Sequence, residues 1–200
     1  MKKILLILAI LMPLVSFSQT KKGASHKKKA TTTAVKTEAK PQKVTPSFTM
    51  PLFIFDSEGG LSTEGGKEFM VYELEGWSQK ELYDKVVLGI SQLFTYPDKV
   101  MTKVENELIT VNGYESNAFK WGKGYYTSYY YTVKFLFKEG KIRVEPSIRG
   151  YEGNNGMANV AMWMRTQGNY NEVKPKFEES INALIYSFLL KSFDTSNDDW

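Results

Sequence analysis

Any chemistry this chain performs must be built without thiols and almost without imidazole, because its 200 residues hold no cysteine and one histidine, His26, set among lysines. That excludes a thiolate nucleophile, an iron–sulfur cluster, a Cys-rich zinc site and a multi-histidine metal centre, and no cofactor or metal is expected. What remains for catalysis is a carboxylate pair, as in glycosidases, or a Ser–Lys dyad. Glu73 and Glu75 fall on one face of a strand and Glu178 and Glu179 are adjacent, yet neither pair has a sequence context that would raise a pKa for general-acid work. Gly122-x-Gly124 is a loop signal with no phosphate-binding lysine motif behind it. No catalytic residue is therefore assigned, and the protein is expected not to be an enzyme. The alternative is a carboxylate-dependent hydrolase acting on a glycan or other envelope substrate.

Aromatic side chains are the more informative signal. Nine of the nineteen residues from Phe119 to Phe137 are aromatic. Strand alternation sends Tyr129, Tyr131, Phe135 and Phe137 to a core, and the surplus is Trp121, Tyr125, Tyr126 and Tyr130. Exposed Tyr and Trp supply flat amphipathic surface for a protein or a sugar; cross-strand pairing on a solvated face would use them equally well. These four are the candidate ligand-binding residues. The segment Met157-Ala-Asn-Val-Ala-Met-Trp-Met164 reads as a packed crossover or as an adaptable contact surface.

The elements that must position them follow from periodicity. Glu68 to Glu75 alternates as a strand. Ser78, with Glu81 three residues on, forms a capping box for a helix whose stripe is Leu82, Val86, Ile90 and Phe94, ending at Pro97. Val100–Val104 and Glu107–Asn112 form a short hairpin turning at Glu105-Asn106 and ended by Asn112-Gly113, and a polar, aromatic connection runs from Tyr114 to Gly124. Tyr126 to Lys138 is the strongest strand; after a turn at Glu139-Gly140, Lys141 to Arg149 returns, with Pro146 marking an edge or the end of a ladder. Residues 150–173 have no clean period. A last helix starts near Pro175 with Phe177, Ile181, Leu184, Ile185, Phe188 and Leu189 on one stripe and Glu178-Glu179 in its first turn. The order strand, helix, four strands, helix predicts an α+β fold: one antiparallel sheet of about five strands, two helices on one face and the other face open. The predicted boundaries are a lead-in over 47–65, the domain over 66–191 and a frayed terminus over 192–200.

Upstream, Met1-Lys2-Lys3, the apolar run Ile4–Val15 and Ser16-Phe17-Ser18 have the order of a secretory signal peptide over 1–18, cleaved before Gln19. The run is interrupted by Pro13 and is short of the roughly 20 residues that span a bilayer, so no transmembrane segment is expected in the mature chain. The predicted location is periplasmic or extracellular. Residues 19–46 carry eight lysines against Glu38, whereas residues 47–200 carry 16 basic and 21 acidic side chains. The lysine-rich tail is too poor in apolar residues to order itself; it serves as a spacer or as an electrostatic contact with anionic surfaces. A net-negative domain opposes nucleic-acid binding.

Three stretches carry a family resemblance: Tyr72-Glu-Leu-Glu-Gly-Trp-Ser-Gln-Lys-Glu-Leu-Tyr83, Glu107-Leu-Ile-Thr-Val-Asn-Gly113, and the Tyr130–Arg143 hairpin turning at Lys138-Glu-Gly-Lys141. In these, over about residues 66–150, the chain resembles secreted bacterial proteins with a domain of unknown function whose fold is like one half of the TATA-box binding protein. The resemblance implies that fold (TBP-like) and supplies no catalytic or binding residues. An unknown protein or glycan of the envelope is the expected partner.

Overall fold

The computed structural model describes residues 43, 46–56, 58–153, 156–158, 160 and 170–194. The signal-peptide and tail assignments fall outside the described residues, apart from Lys43 and Pro46, as does most of the Met-rich segment. In chain order the elements are β1 (Phe53–Phe55), β2 (Leu61–Thr63), β3 (Met70–Glu73), α1 (Gln79–Leu93), α2 (Pro97–Val100), β4 (Met101–Val104), β5 (Leu108–Trp121), β6 (Tyr125–Lys138), β7 (Lys141–Gly153), β8 (Gly156–Ala158) and α3 (Tyr170–Ser192). An antiparallel sheet runs β3-β7-β6-β5-β4, with β8 a sixth strand on β7, and β1-β2 forms a separate hairpin. The α+β class and the strand, helix, four strands, helix order are as the sequence predicts; β1, β2, β8 and α2 are additions.

Ser78 caps α1 reciprocally: its side chain accepts from the Glu81 amide while the Glu81 carboxylate accepts from the Ser78 amide at 3.0 Å. From that start Leu82, Val86 and Ile90 repeat at helical spacing and are fully buried against the sheet. α3 begins at Tyr170, ahead of the expected start at Pro175. Proline marks a helix's first turns without fixing its first residue, and here the preceding turn is held by buried Val173 and by Glu172, which accepts the Gly122 amide at 2.9 Å. Glu178 and Glu179 consequently lie well inside the helix, and Glu172 takes the place in the first turn that they were expected to fill. The two long helices meet at Gly89, where an added Cβ would lie 2.3 Å from the Ser192 Cα. Ser192 and Phe193 are buried, not frayed, and the Phe193 ring contacts Phe48 at 5.0 Å and Trp77 at 5.4 Å.

In β6 the alternation holds from Tyr129 onward, with Tyr129, Tyr131, Val133, Phe135 and Phe137 all buried beneath the helices. β5 corrects the reading of Asn112-Gly113 as a strand end, since the strand continues to Trp121 and only Gly122–Gly124 turn. Gly113 is there for clearance: a Cβ would lie 2.2 Å from Cζ of Tyr131, its cross-strand partner. A register shift between Glu115 and Phe119, with Asn117 at φ 51°, bulges β5 on its way to the tip. Likewise β7 extends past Arg149 to Gly153 through a second register shift opposite Tyr130 and Tyr131. The β3 ladder on β7 ends at Val144 and the β8 ladder begins at Tyr151, so Pro146 occupies a locally unpaired edge, as proline requires.

The predicted boundary at residue 66 also moves. Phe48, Phe53, Phe55 and Leu61 all belong to the core. The outer edge of β1 is closed by α3: Asn182 accepts the Phe53 amide at 2.9 Å and donates to the Phe53 carbonyl at 3.0 Å, and Glu178 accepts the Phe55 amide at 2.6 Å. A buried strand edge would otherwise leave polar groups unsatisfied. Among the described residues no helix is long and apolar enough to cross a membrane.

Candidate functional site

The face of the sheet opposite the helices is built from the residues out of phase with the core. On β6 these are Tyr126, Ser128, Tyr130, Thr132 and Lys134; the register sets Lys120, Tyr114, Asn112 and Thr110 beside them on β5, and Glu152, Ser147, Glu145 and Arg143 on β7. The centre is polar, with the Thr132 hydroxyl donating to Asn112 Oδ1 at 2.7 Å.

The four aromatic candidates do not share one surface. Trp121 and Tyr125 are cross-strand partners on the helix side of the hairpin tip, two residues from the core-facing Phe119–Thr127 pair. The Trp121 ring is half-buried against the core, donates through Nε1 to Thr127 Oγ1 at 3.0 Å and lies 5.5 Å from the Tyr125 ring. Tyr126 and Tyr130 are on the open face. The sequence pattern does not reveal the cross-strand neighbour of Tyr130, Tyr114, because Asn112-Gly113 reads as a strand end. The Tyr114 and Tyr130 rings lie 4.7 Å apart, and the Tyr114 hydroxyl donates to Glu152 Oε2 at 2.8 Å. Its hydrogen bond with Ser128 lowers the Tyr114 pKa, but Glu152 and desolvation outweigh that and leave it raised. Tyr114 is 43% exposed and Tyr126 50%, so the open face carries solvated tyrosine toward the hairpin tip, where Lys120 Nζ lies 5.8 Å from the Tyr126 ring centre.

At the other end of this face lies a cleft of about 780 Å³, walled by the Gly66–Phe69 stretch and floored by Lys134, Arg143, Glu145 and Ser147. The Arg143 guanidinium is 3.8 Å from the Phe69 ring centre and pairs with Glu145, while its Nε is buried without a partner. Lys67 Nζ is 5.9 Å from the same ring. These residues are far apart in sequence, and no spacing pattern links them.

Two of the four carboxylates named from sequence, Glu73 and Glu178, have structural work, while Glu75 is exposed. Glu73 pairs with Lys141 at 2.7 Å, and that hydrogen bond holds its carboxyl below the ordinary range. Glu178 pairs with Lys174 in addition to closing β1. Among the described residues the carboxylate with a raised pKa is one the sequence did not single out: Glu115, pushed up by burial, lines a groove of about 590 Å³ between the β5 bulge and α3 together with Glu179, Ser180 and Leu184. Its other neighbour, the Tyr129 hydroxyl, is 3.0 Å from Ser180 Oγ. Among the described residues no group of three or more Asp, Glu or His side chains is placed to hold a metal ion.

Over 63% of its length the chain is similar to a TBP-like protein from Parabacteroides distasonis, with a TM-score of 0.49, 13% identity and 88% of that chain covered. A comparable similarity, also over 63%, holds to a DUF4468 family protein from Bacteroides ovatus, with a TM-score of 0.46, 10% identity and 84% of that chain covered. No family model and no curated protein matches the chain.

Proposed function

We propose that this protein is an exported, non-catalytic module that binds a protein or glycan of the bacterial envelope through the open face of its sheet. The observation that carries the reading is the Tyr114–Tyr130 pair, half-exposed on the face the helices leave free, with exposed Tyr126 further along the same strand face. Amphipathic rings on a rigid strand offer large contact area with little side-chain entropy to lose. Export is supported by the signal-like order of residues 1–18, and the eight lysines of 19–46 favour contact with anionic surfaces. Trp121 and Tyr125 would extend the contact only around the rim.

The test is capture of separated envelope polysaccharide and protein fractions by the mature chain, compared with Tyr130→Ala and Tyr114→Ala. Loss of about 2 kcal/mol of binding, roughly 30-fold in affinity, is expected for a central aromatic anchor. Undiminished capture by both variants would overturn the reading. N-terminal sequencing of the native protein should begin at Gln19, and an intact Met1 would refute export. A second reading, carboxylate-dependent hydrolysis, is favoured by one observation: Glu115, with its raised pKa, and Glu179 line the same groove. It requires release of reducing sugar from an envelope glycan that disappears in Glu115→Gln.

A further inference from the structure

The open face is asymmetric in charge as well as in shape. Its carboxylates are engaged: Glu145 pairs with Arg143, Glu73 with Lys141, and Glu152 accepts from Tyr114. Among the described residues Lys134 and Lys138, exposed on β6, have no ion-pair partner, and Lys120 stands over Tyr126. A domain with more acidic than basic residues thus presents uncommitted cations on this surface. Of the other acids lining the cleft, Asp56 spends Oδ1 on the amides of Glu58 and Gly60, while Glu68 is exposed at the mouth.

We propose that the occupant of this face is an acidic polysaccharide, its sugar rings lying on Tyr126, Tyr130 and Tyr114 and one of its anionic groups held at the cleft by Lys134, Lys67 and Arg143. The inference rests on the open-face reading above and names its ligand. Tyr130 and Lys134 share a face four residues apart on one strand, about 13 Å at the usual rise, a span that fits a short oligosaccharide. Between them lie Thr132, Asn112 and Ser147, hydroxyl and amide groups matched to sugar hydroxyls. The Arg143 plane is fixed in advance by Phe69 and Glu145, so its charge is held at the cleft without further ordering of the side chain. An acidic peptide fits less well. β6 is central, so its backbone groups are taken by β5 and β7 and an extended chain cannot add as a strand at the tyrosines.

The experiment is isothermal titration of the mature chain with an oligogalacturonate and with the same oligomer methyl-esterified, which removes charge and keeps the backbone. Dextran sulfate against dextran reports sulfate in place of carboxylate. The acidic oligomer should bind at least tenfold more tightly than its ester, and the difference should shrink as salt is raised. The double variant Lys67→Gln with Lys134→Gln, both at exposed positions, should remove that tenfold preference without changing binding of the ester, whereas Tyr130→Ala should weaken both. Equal affinity for acid and ester, or an unaltered preference in the lysine variant, overturns the acidic-ligand inference and leaves open-face binding standing. Lysine-dependent binding indifferent to Tyr114→Ala and Tyr130→Ala overturns both the inference and the proposed function. Poly-glutamate bound as tightly, with the same lysine dependence, overturns the assignment to a glycan.

Discussion

Gly89→Ala sets two effects of opposite sign against each other, and the structure says which wins. In a helix interior alanine is favoured over glycine by about 1 kcal/mol, so propensity alone predicts stabilisation. The new methyl, however, would lie 2.3 Å from the Ser192 Cα, 2.5 Å from its nitrogen and 2.8 Å from the Lys191 carbonyl carbon, whereas ordinary contact begins near 3.4 Å. These are backbone atoms, so no rotamer change relieves the overlap. α1 and α3 must separate by about 1 Å, and a gap of that size forfeits a quarter to a half of each dispersion contact along the seam. Overpacking of this kind costs about 1–3 kcal/mol; where backbone must move, the upper end applies, leaving net destabilisation of about 2 kcal/mol. Urea denaturation followed by tryptophan fluorescence would read it as a lowered midpoint at unchanged slope. In heat unfolding, it would lower Tm by roughly 4–8 °C. Gly65→Ala, whose Cβ meets nothing closer than 3.9 Å, is the neutral control. A Gly89→Ala midpoint equal to or above wild type, with the control unchanged, would refute the close helix seam.

Three further outcomes follow from the same geometry. Ser78→Ala should cost about 1 kcal/mol by orphaning an amide of the first turn, and Phe135→Ala, which opens a core cavity, roughly 2–5 kcal/mol; equal small effects in denaturant melts would contradict the face assignment. Burial raises the Glu115 pKa, so its ionised form is a penalty present above the folded pKa that fades as pH falls toward the ordinary carboxylate value. Glu115→Gln should therefore be the more stable protein at neutral pH, with the advantage narrowing on acidification, and a pH-independent difference would exclude this account. Tyr72, pushed up to about 12 mainly by burial, and Tyr129 and Tyr131, raised further for the same reason, should ionise after the exposed tyrosines in an ultraviolet alkaline titration. Because their folded pKa values lie above the unfolded one, stability should fall as pH rises past 10; twelve tyrosines titrating together while the chain is folded would show these three to be solvated.

What was legible in the sequence was whatever the chain writes locally. The capping box at Ser78, the stripe of α1 and the two faces of β6 need only neighbours within a few residues, so periodicity and side-chain chemistry reveal them. Gly113 shows where this stops. Asn-Gly is the usual signature of a turn, but here the glycine answers a ring eighteen residues away, and the mistake hid Tyr114, half of the candidate pair. Pro175 misled in the same way, since the turn ahead of it is held by Val173 in the core and by the Gly122 amide on a distant hairpin tip. The cleft was beyond reach altogether: Phe69 and Arg143 meet across the sheet edge, and their pairing has no sequence period.

The bonds from Asn182 to both backbone groups of Phe53 join residues 129 apart in sequence. They make the earliest strand depend on the last helix. A growing chain that lacks α3 has nothing to close the β1 edge and no partner for Phe55, whose ring sits 4.9 Å from Phe177. Contacts of such separation form late, after the loop between them has been ordered. Closure of the β1 edge therefore waits for the C-terminal helix. Were the chain exported as proposed, a segment lacking the last helix would leave the Phe53 amide and carbonyl without the Asn182 side chain that closes them.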